Sequence, residues 1–148
     1  MIAWYLKMIC LGLLLVRFVA AQFGFLWWPA WWWAAEGFGL GLVVLGAGCA
    51  AWHGFLLRGA EGLETRRGLF RCLRHPMYAG DLLTLTGLAL LPLGPDSLAL
   101  WLLGVVAVYR SALFEDRLMS QAWPSAHERW RERSGLILPR IRRGSSHP

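Results

Sequence analysis

The chain has 148 residues, 57% of them hydrophobic and only 16% charged, against roughly 25% charged in an ordinary soluble domain. That composition disfavours a water-soluble enzyme, and ten tryptophans with seventeen glycines suit helices packed in lipid, where aromatic belts and small-residue contacts are common. The formal charge of +6, from 15 Lys and Arg against nine Asp and Glu, is consistent with nucleic acid, anionic lipid or membrane topology, and its distribution along the chain decides among them.

The first apolar run covers 8–28, interrupted by Arg17, and the second covers 38–57, with His53 near its end. Each is about the ~20 residues that a spanning helix needs. Pro29 and the cluster Trp27, Trp28, Trp31, Trp32 and Trp33 lie between them, rings suited to the headgroup level. Two further runs, 78–93 and 97–114, are separated by Pro92, Gly94, Pro95 and Asp96, which stop one helix and cap the next. They predict a helical hairpin, short for a bilayer and therefore partly re-entrant or membrane-thinning. Pro124 starts a short helix bearing His127 and Trp130, with Arg129 and Arg133 one turn apart, as an interfacial amphipathic helix would. The fold class is thus all-α: a polytopic membrane bundle of about four spans plus a short C-terminal interfacial helix. A single domain is expected over 1–139, with two N-terminal spans in 1–57, a functional half in 68–139, and a basic disordered tail over 140–148.

The arginines sort with the connections. Arg58, Arg66, Arg67, Arg71 and Arg74 share one segment, and Arg110, Arg117, Arg129, Arg131, Arg133, Arg140, Arg142 and Arg143 gather toward the C-terminus, whereas 28–37 and 94–97 hold neither Lys nor Arg. Such alternation follows the positive-inside rule, places both termini in the cytoplasm of a multi-pass protein of a bacterial inner membrane or an equivalent one, and argues against nucleic acid as a partner. Lys7, the apolar stretch after it and Ala20-Ala21 imitate a secretory signal. Arg17 and the continuation of the run to residue 28 argue against that reading. Cys10, Cys49 and Cys72 are odd in number and lie in or beside apolar runs, so they read as reduced thiols. No His, Cys or carboxylate set has metal-ligand spacing, so no metal is expected. His53 reads as a satisfied interhelical histidine, and Arg17 and Glu36 as snorkelling or topological charges.

Chemistry concentrates where the second basic segment meets the hairpin. In Arg74-His75-Pro76-Met77-Tyr78-Ala79-Gly80, Pro76 fits a first helical turn, and a cation, an imidazole and a phenol beside a helix N-terminus can receive an anionic group. The plainer reading has Arg74 on lipid phosphate and Tyr78 as an interfacial anchor. Glu115 and Asp116 stand at the cytoplasmic end of the last span, at the same end of the hairpin; the plain reading is a solvated ion-pair cluster with Arg110, Arg117 and the basic tail. Arg110 sits deeper, where a cation is costly unless engaged. It could bind an anionic substrate or cofactor group, or simply pair with Asp81.

The segment resembles the Arg-His-Pro-x-Tyr-x-Gly signature of membrane-embedded methyltransferases typified by isoprenylcysteine carboxyl methyltransferase, to which the phospholipid N-methyltransferases are related. Glu115, Asp116, Met119, Trp123, Pro124, His127, Trp130, Ser134, Gly135 and Pro139 fall at the spacings of the family's second signature. Glu115 and Pro139 are identical to it, His127 and Trp130 replace tyrosines, and Pro124 and Gly135 depart. The resemblance covers 68–139. It implies methyl transfer from S-adenosylmethionine to a lipophilic or small acceptor bearing a carboxylate, amine or thiol, in a pocket of the C-terminal helices without a Rossmann-type domain. It implies His75, Pro76, Tyr78, Gly80, Glu115 and Asp116 as cofactor-binding residues, with Arg74 and Arg110 as the candidate catalytic cations. Membrane sterol reductases carry a related signature that shares Asp81, which makes an NADPH-dependent reductase the alternative enzyme. A non-catalytic membrane subunit of the same fold is the alternative from another class.

Overall fold

The computed structural model describes residues 2–26, 33–58, 62–63 and 66–140. The tryptophan cluster up to Trp32, and the tail beyond Arg140, lie outside the described residues. The described chain is all α-helical apart from one isolated backbone bridge. Its helices are α1 (Ile2–Gln22), α2 (Trp33–Leu56), α3 (Pro76–Ala89), α4 (Pro95–Ala122) and α5 (Pro124–Arg133), with a single 3₁₀ turn, Gly68–Arg71, ahead of α3.

Three segments, α1, Glu36–Leu56 of α2, and α4, are long and apolar enough to cross a membrane. They carry large apolar side chains on their outer faces, among them Ile2, Val16, Phe38, Val44, Leu102 and Val106, as a lipid-facing surface requires. The expected hairpin is present as α3 and α4, but its arms are unequal. With 14 residues, α3 is about 21 Å long at 1.5 Å per residue, short of a hydrocarbon layer of ~30 Å. It is packed against α1, α2 and α4.

Glycine decides how closely α3 meets α2. A Cβ on Gly80 would lie 2.5 Å from the Gly46 carbonyl oxygen, and one on Gly87 would lie 2.5 Å from that of Gly39. Both helices therefore present glycines seven residues apart, so the two backbones touch along two turns, the small-residue packing that lipid favours. At the hairpin turn, Pro95 occupies the first turn of α4 and buried Ser97 accepts the Gly94 N–H (2.9 Å) and donates to the Ala89 carbonyl (3.0 Å), tying the end of α3 to the start of α4. Arg17 reaches this turn from α1, pairing with Asp96 and donating to the Pro92 carbonyl. Arg17, read from the sequence as a snorkelling or topological charge, carries its guanidinium to the end of the bundle, where an exposed carboxylate and a backbone carbonyl meet it.

The opposite end of the bundle collects the N-termini of α1 and α3, the C-termini of α2 and α4, and α5. His53 fastens α2 to the 3₁₀ turn, with Nδ1 toward the Cys49 carbonyl (2.8 Å) and Nε2 accepting the Leu69 N–H (3.0 Å), so it is a satisfied histidine and not a free base. Trp130 on α5 is buried and donates from Nε1 to the Phe70 carbonyl at 2.8 Å. The chain leaving α5 then runs beside the signature segment: Gly135 donates to Cys72, Arg74 to Gly135 and His75 to Leu136, at 2.8–3.0 Å. A Cβ on Gly135 would collide with the Leu138 carbonyl, which gives a physical reason for glycine at that position.

Candidate active site

Helical periodicity turns the two carboxylates inward. On α4 the buried stripe Gly104, Ala107, Val108, Ser111 and Ala112 continues, one turn on, into Glu115 and Asp116, as spacings of three and four residues dictate. They do not form the surface cluster with Arg117 that their sequence neighbours allow. Adjacent residues on a helix diverge by about 100°, so the two meet different partners.

Asp116 faces the signature segment and α5. Its Oδ1 accepts from Arg74 Nε at 2.7 Å and contacts His127 Nε2 at 3.0 Å, with His75 Nε2 at 3.6 Å. Arg74 is buried, and it also donates from Nη1 to the Ser134 carbonyl at 3.0 Å. Arg74 is thus spent on a buried clamp that joins the signature segment, α4 and the strand of chain after α5. His127, which stands where the family signature has tyrosine, completes that clamp.

Glu115 faces the other way. Its Oε1 accepts the Tyr78 hydroxyl at 2.5 Å, its Oε2 lies 3.7 Å from His75 Nδ1, and its side chain is 43% exposed against 16% for Asp116. Two hollows meet along this Tyr78–Glu115 bond. One, of about 110 Å³, is lined by His75, Pro76, Asp81, Lys7 and the aromatic rings of Trp4, Phe70 and Tyr78. The other, of about 240 Å³, is lined by Ala3, Trp4, Ser111, Phe114 and Leu118. Trp4, Tyr78 and Glu115 line both, so the hollows adjoin at these side chains as the two parts of one recess.

His75, Pro76, Tyr78 and Glu115 therefore come together around one recess, as their sequence pattern leads one to expect. Gly80 and Asp116 are placed otherwise: Gly80 is buried against the backbone of α2, and Asp116 is engaged by the clamp. Arg110 is exposed on another face of α4, beside a separate hollow with Leu113, Phe114 and Arg117. Its suggested pairing with Asp81 is not formed, because Lys7 takes that carboxylate at 2.6 Å. Lys7, Trp4, Phe70 and Ser111 are among the lining residues that the sequence signals do not single out. The first apolar run, starting at residue 8, leaves Lys7 just outside it, whereas the helix begins at Ile2. The apolar stretch Ile2-Ala3-Trp4-Tyr5-Leu6 was the available signal.

The phospholipid methyltransferase family profile matches residues 35–126, well over half of the chain. The chain belongs to this family. It is accordingly an S-adenosylmethionine-dependent methyltransferase and a multi-pass membrane protein, and the match favours methyl transfer over the reductase reading. No curated protein and no solved structure matches the chain. The family match runs from α2 through α4 into the start of α5, so the departures from the second signature at His127, Trp130 and Gly135 lie beyond the matched residues. The recess suits the cofactor in its chemistry. Its half-open carboxylate Glu115 can accept from an ammonium or hydroxyls, and His75 Nδ1 lies beside it, 3.7 Å from Oε2. The rings of Trp4, Phe70 and Tyr78 that line it offer surfaces to a sulfonium cation.

Proposed function

We propose that the recess around the Tyr78–Glu115 hydrogen bond is the methyl-transfer site, with His75, Pro76, Tyr78 and Glu115 holding the cofactor and a lipophilic or small acceptor entering along Ala3, Trp4, Phe114 and Leu118. The observation that carries this reading is the asymmetry of the recess. Its signature end adds His75, Lys7 and Asp81 to the shared phenol and carboxylate, while its α1–α4 end adds Ala3, Phe114 and Leu118 with the single hydroxyl of Ser111.

S-adenosylmethionine, when bound, supplies a methyl carbon already activated by its sulfonium. The residues therefore have little bond-making chemistry to perform. Glu115 is oriented by the Tyr78 hydroxyl and keeps lone pairs for ligand donors, and the aromatic walls exclude water and fix the line of approach, on which in-line transfer depends. Arg74 and Asp116 position His75 through the segment they clamp. The acceptor, a molecule with a carboxylate, amine or thiol, meets the site from lipid. Both arginine-rich ends of the helices gather at the site's end of the bundle, which supports an orientation with that end and both termini in the cytoplasm. Residues 1–139 act as one domain, in which 1–57 supply wall and scaffold and 68–139 supply the cofactor half.

The test uses purified protein in detergent with methyl-labelled S-adenosylmethionine and a membrane lipid extract, followed by identification of the labelled product. A lipophilic methylated product, lost in Glu115→Gln, is expected. Faster labelling of bulky hydrophilic acceptors than of any lipophilic one would overturn the assignment of the acceptor class.

A further inference from the structure

The family match begins at residue 35, so α1 lies outside it, yet α1 supplies part of the smaller hollow's wall. Lys7 is the residue of interest there. Its side chain is 7% exposed, its Nζ donates to Asp81 Oδ2 at 2.6 Å, and the same nitrogen stands 4.8 Å from the centre of the Tyr78 ring and 5.9 Å from that of Trp4. A cation this deep in an apolar bundle is costly unless paired, and the carboxylate and ring faces pair it. An ammonium carries three N–H donors. Asp81 accepts one, which leaves donors available to a ligand in the hollow that Lys7 lines.

Glu115, whose Oε1 is held by Tyr78, lines the same hollow. A cation and a carboxylate, each held by a partner, lining one hollow of about 110 Å³ complement a small zwitterion. Charge balance points the same way. Lys7, Asp81 and Glu115 together carry a single net negative charge, whereas S-adenosylmethionine, with a sulfonium, an ammonium and a carboxylate, carries a single net positive one. The loaded site is neutral, as a low-dielectric membrane interior demands. We propose that Lys7 binds the α-carboxylate of the cofactor's methionine end while Glu115 meets the ammonium on the same carbon. This rests on the reading that the cofactor occupies the recess.

The test compares binding of S-adenosylmethionine and of its decarboxylated analogue, which keeps the ammonium and sulfonium, by calorimetry in detergent. The native protein is expected to prefer the carboxylate form by about ten- to a hundredfold, the range for one charge-assisted hydrogen bond. Replacing the whole ion pair, as Lys7→Met with Asp81→Leu or as Lys7→Gln with Asp81→Asn, avoids leaving an unpaired buried charge and gives two chances of a folded variant. In either, the preference should vanish through weaker binding of the carboxylate form alone. Equal affinities in the native protein, a preference that survives in a folded pair variant, or an equal loss for both ligands would each overturn the proposal, the last because it marks the pair as a strut between α1 and α3. Glu115→Gln separates the two levels of argument. It should weaken both ligands alike, and if it weakens neither, the placement of the cofactor fails and the role of Lys7 with it, whereas a failure in the pair variants alone leaves that placement standing.

Discussion

Glu115 and Asp116 are chemically alike and adjacent in the chain, yet one is committed to holding the protein together and the other is left open to a ligand. The step of about 100° between neighbours on a helix sends Asp116 into a wall of Arg74, His127 and His75 and sends Glu115 toward Tyr78 and a recess. Structural carboxylates have their lone pairs filled by protein donors. A carboxylate that binds a ligand keeps some unfilled and accessible, as Glu115 does with a side chain 43% exposed. The same contrast separates two arginines offered for catalysis, since Arg74 is buried in the clamp and Arg110 is exposed away from the recess.

The sharpest way to test that contrast is to remove the committed member. Asp116→Ala strands the buried Arg74 and should lower stability by about 3–5 kcal/mol, seen as a large drop in unfolding temperature in detergent, whereas Glu115→Ala should not. Equal losses would erase the distinction. Gly80→Ala comes next. Because its Cβ would meet the Gly46 carbonyl at 2.5 Å, forcing α3 away from α2 should cost about 1–3 kcal/mol, while the fraction that remains folded binds cofactor with native affinity. Weaker binding by the folded fraction would return Gly80 to the cofactor site.

Glu115→Gln addresses the open member. It should cost about ten- to a hundredfold in S-adenosylmethionine affinity with unfolding temperature nearly unchanged, and calorimetry on the folded variant would check it. The smallest effect is expected at Arg110. Exposed and outside the recess, Arg110→Ala should change stability by no more than about 0.5 kcal/mol and leave both cofactor affinity and turnover near native. A substantial loss of turnover would mean that the hollow beside Arg117 takes part in the reaction.

The helical architecture was legible because apolar runs of bilayer length have few other uses, and Pro76, Pro95 and Pro124 mark the first turns of α3, α4 and α5. The core of the recess was legible too, since His75, Pro76 and Tyr78 lie within four residues of sequence and a helix start brings them together. What escaped the sequence lay in long-range pairings. Lys7 to Asp81, Arg17 to Asp96 and Arg74 to Asp116 join residues 42 to 79 positions apart, and each basic residue had a local reading, as part of a signal-like segment, a snorkelling charge or a lipid-phosphate contact, that was sufficient without a partner.

By itself, then, the sequence determined an all-helical membrane protein with a signature segment that resembles those of membrane methyltransferases, because hydrophobic length and short-range spacing are properties of a single segment. Only the tertiary structure decided which polar residues face a ligand and which face one another. Roles of that kind depend on the azimuth of a side chain and on what the neighbouring helix places opposite it, as when α1 supplies Lys7 to Asp81, α5 supplies His127 to Asp116, and Glu115 is left with Tyr78 and an open side. In a low-dielectric bundle each buried charge must find its counterpart, and the one carboxylate of the pair still accessible after that matching marks the site.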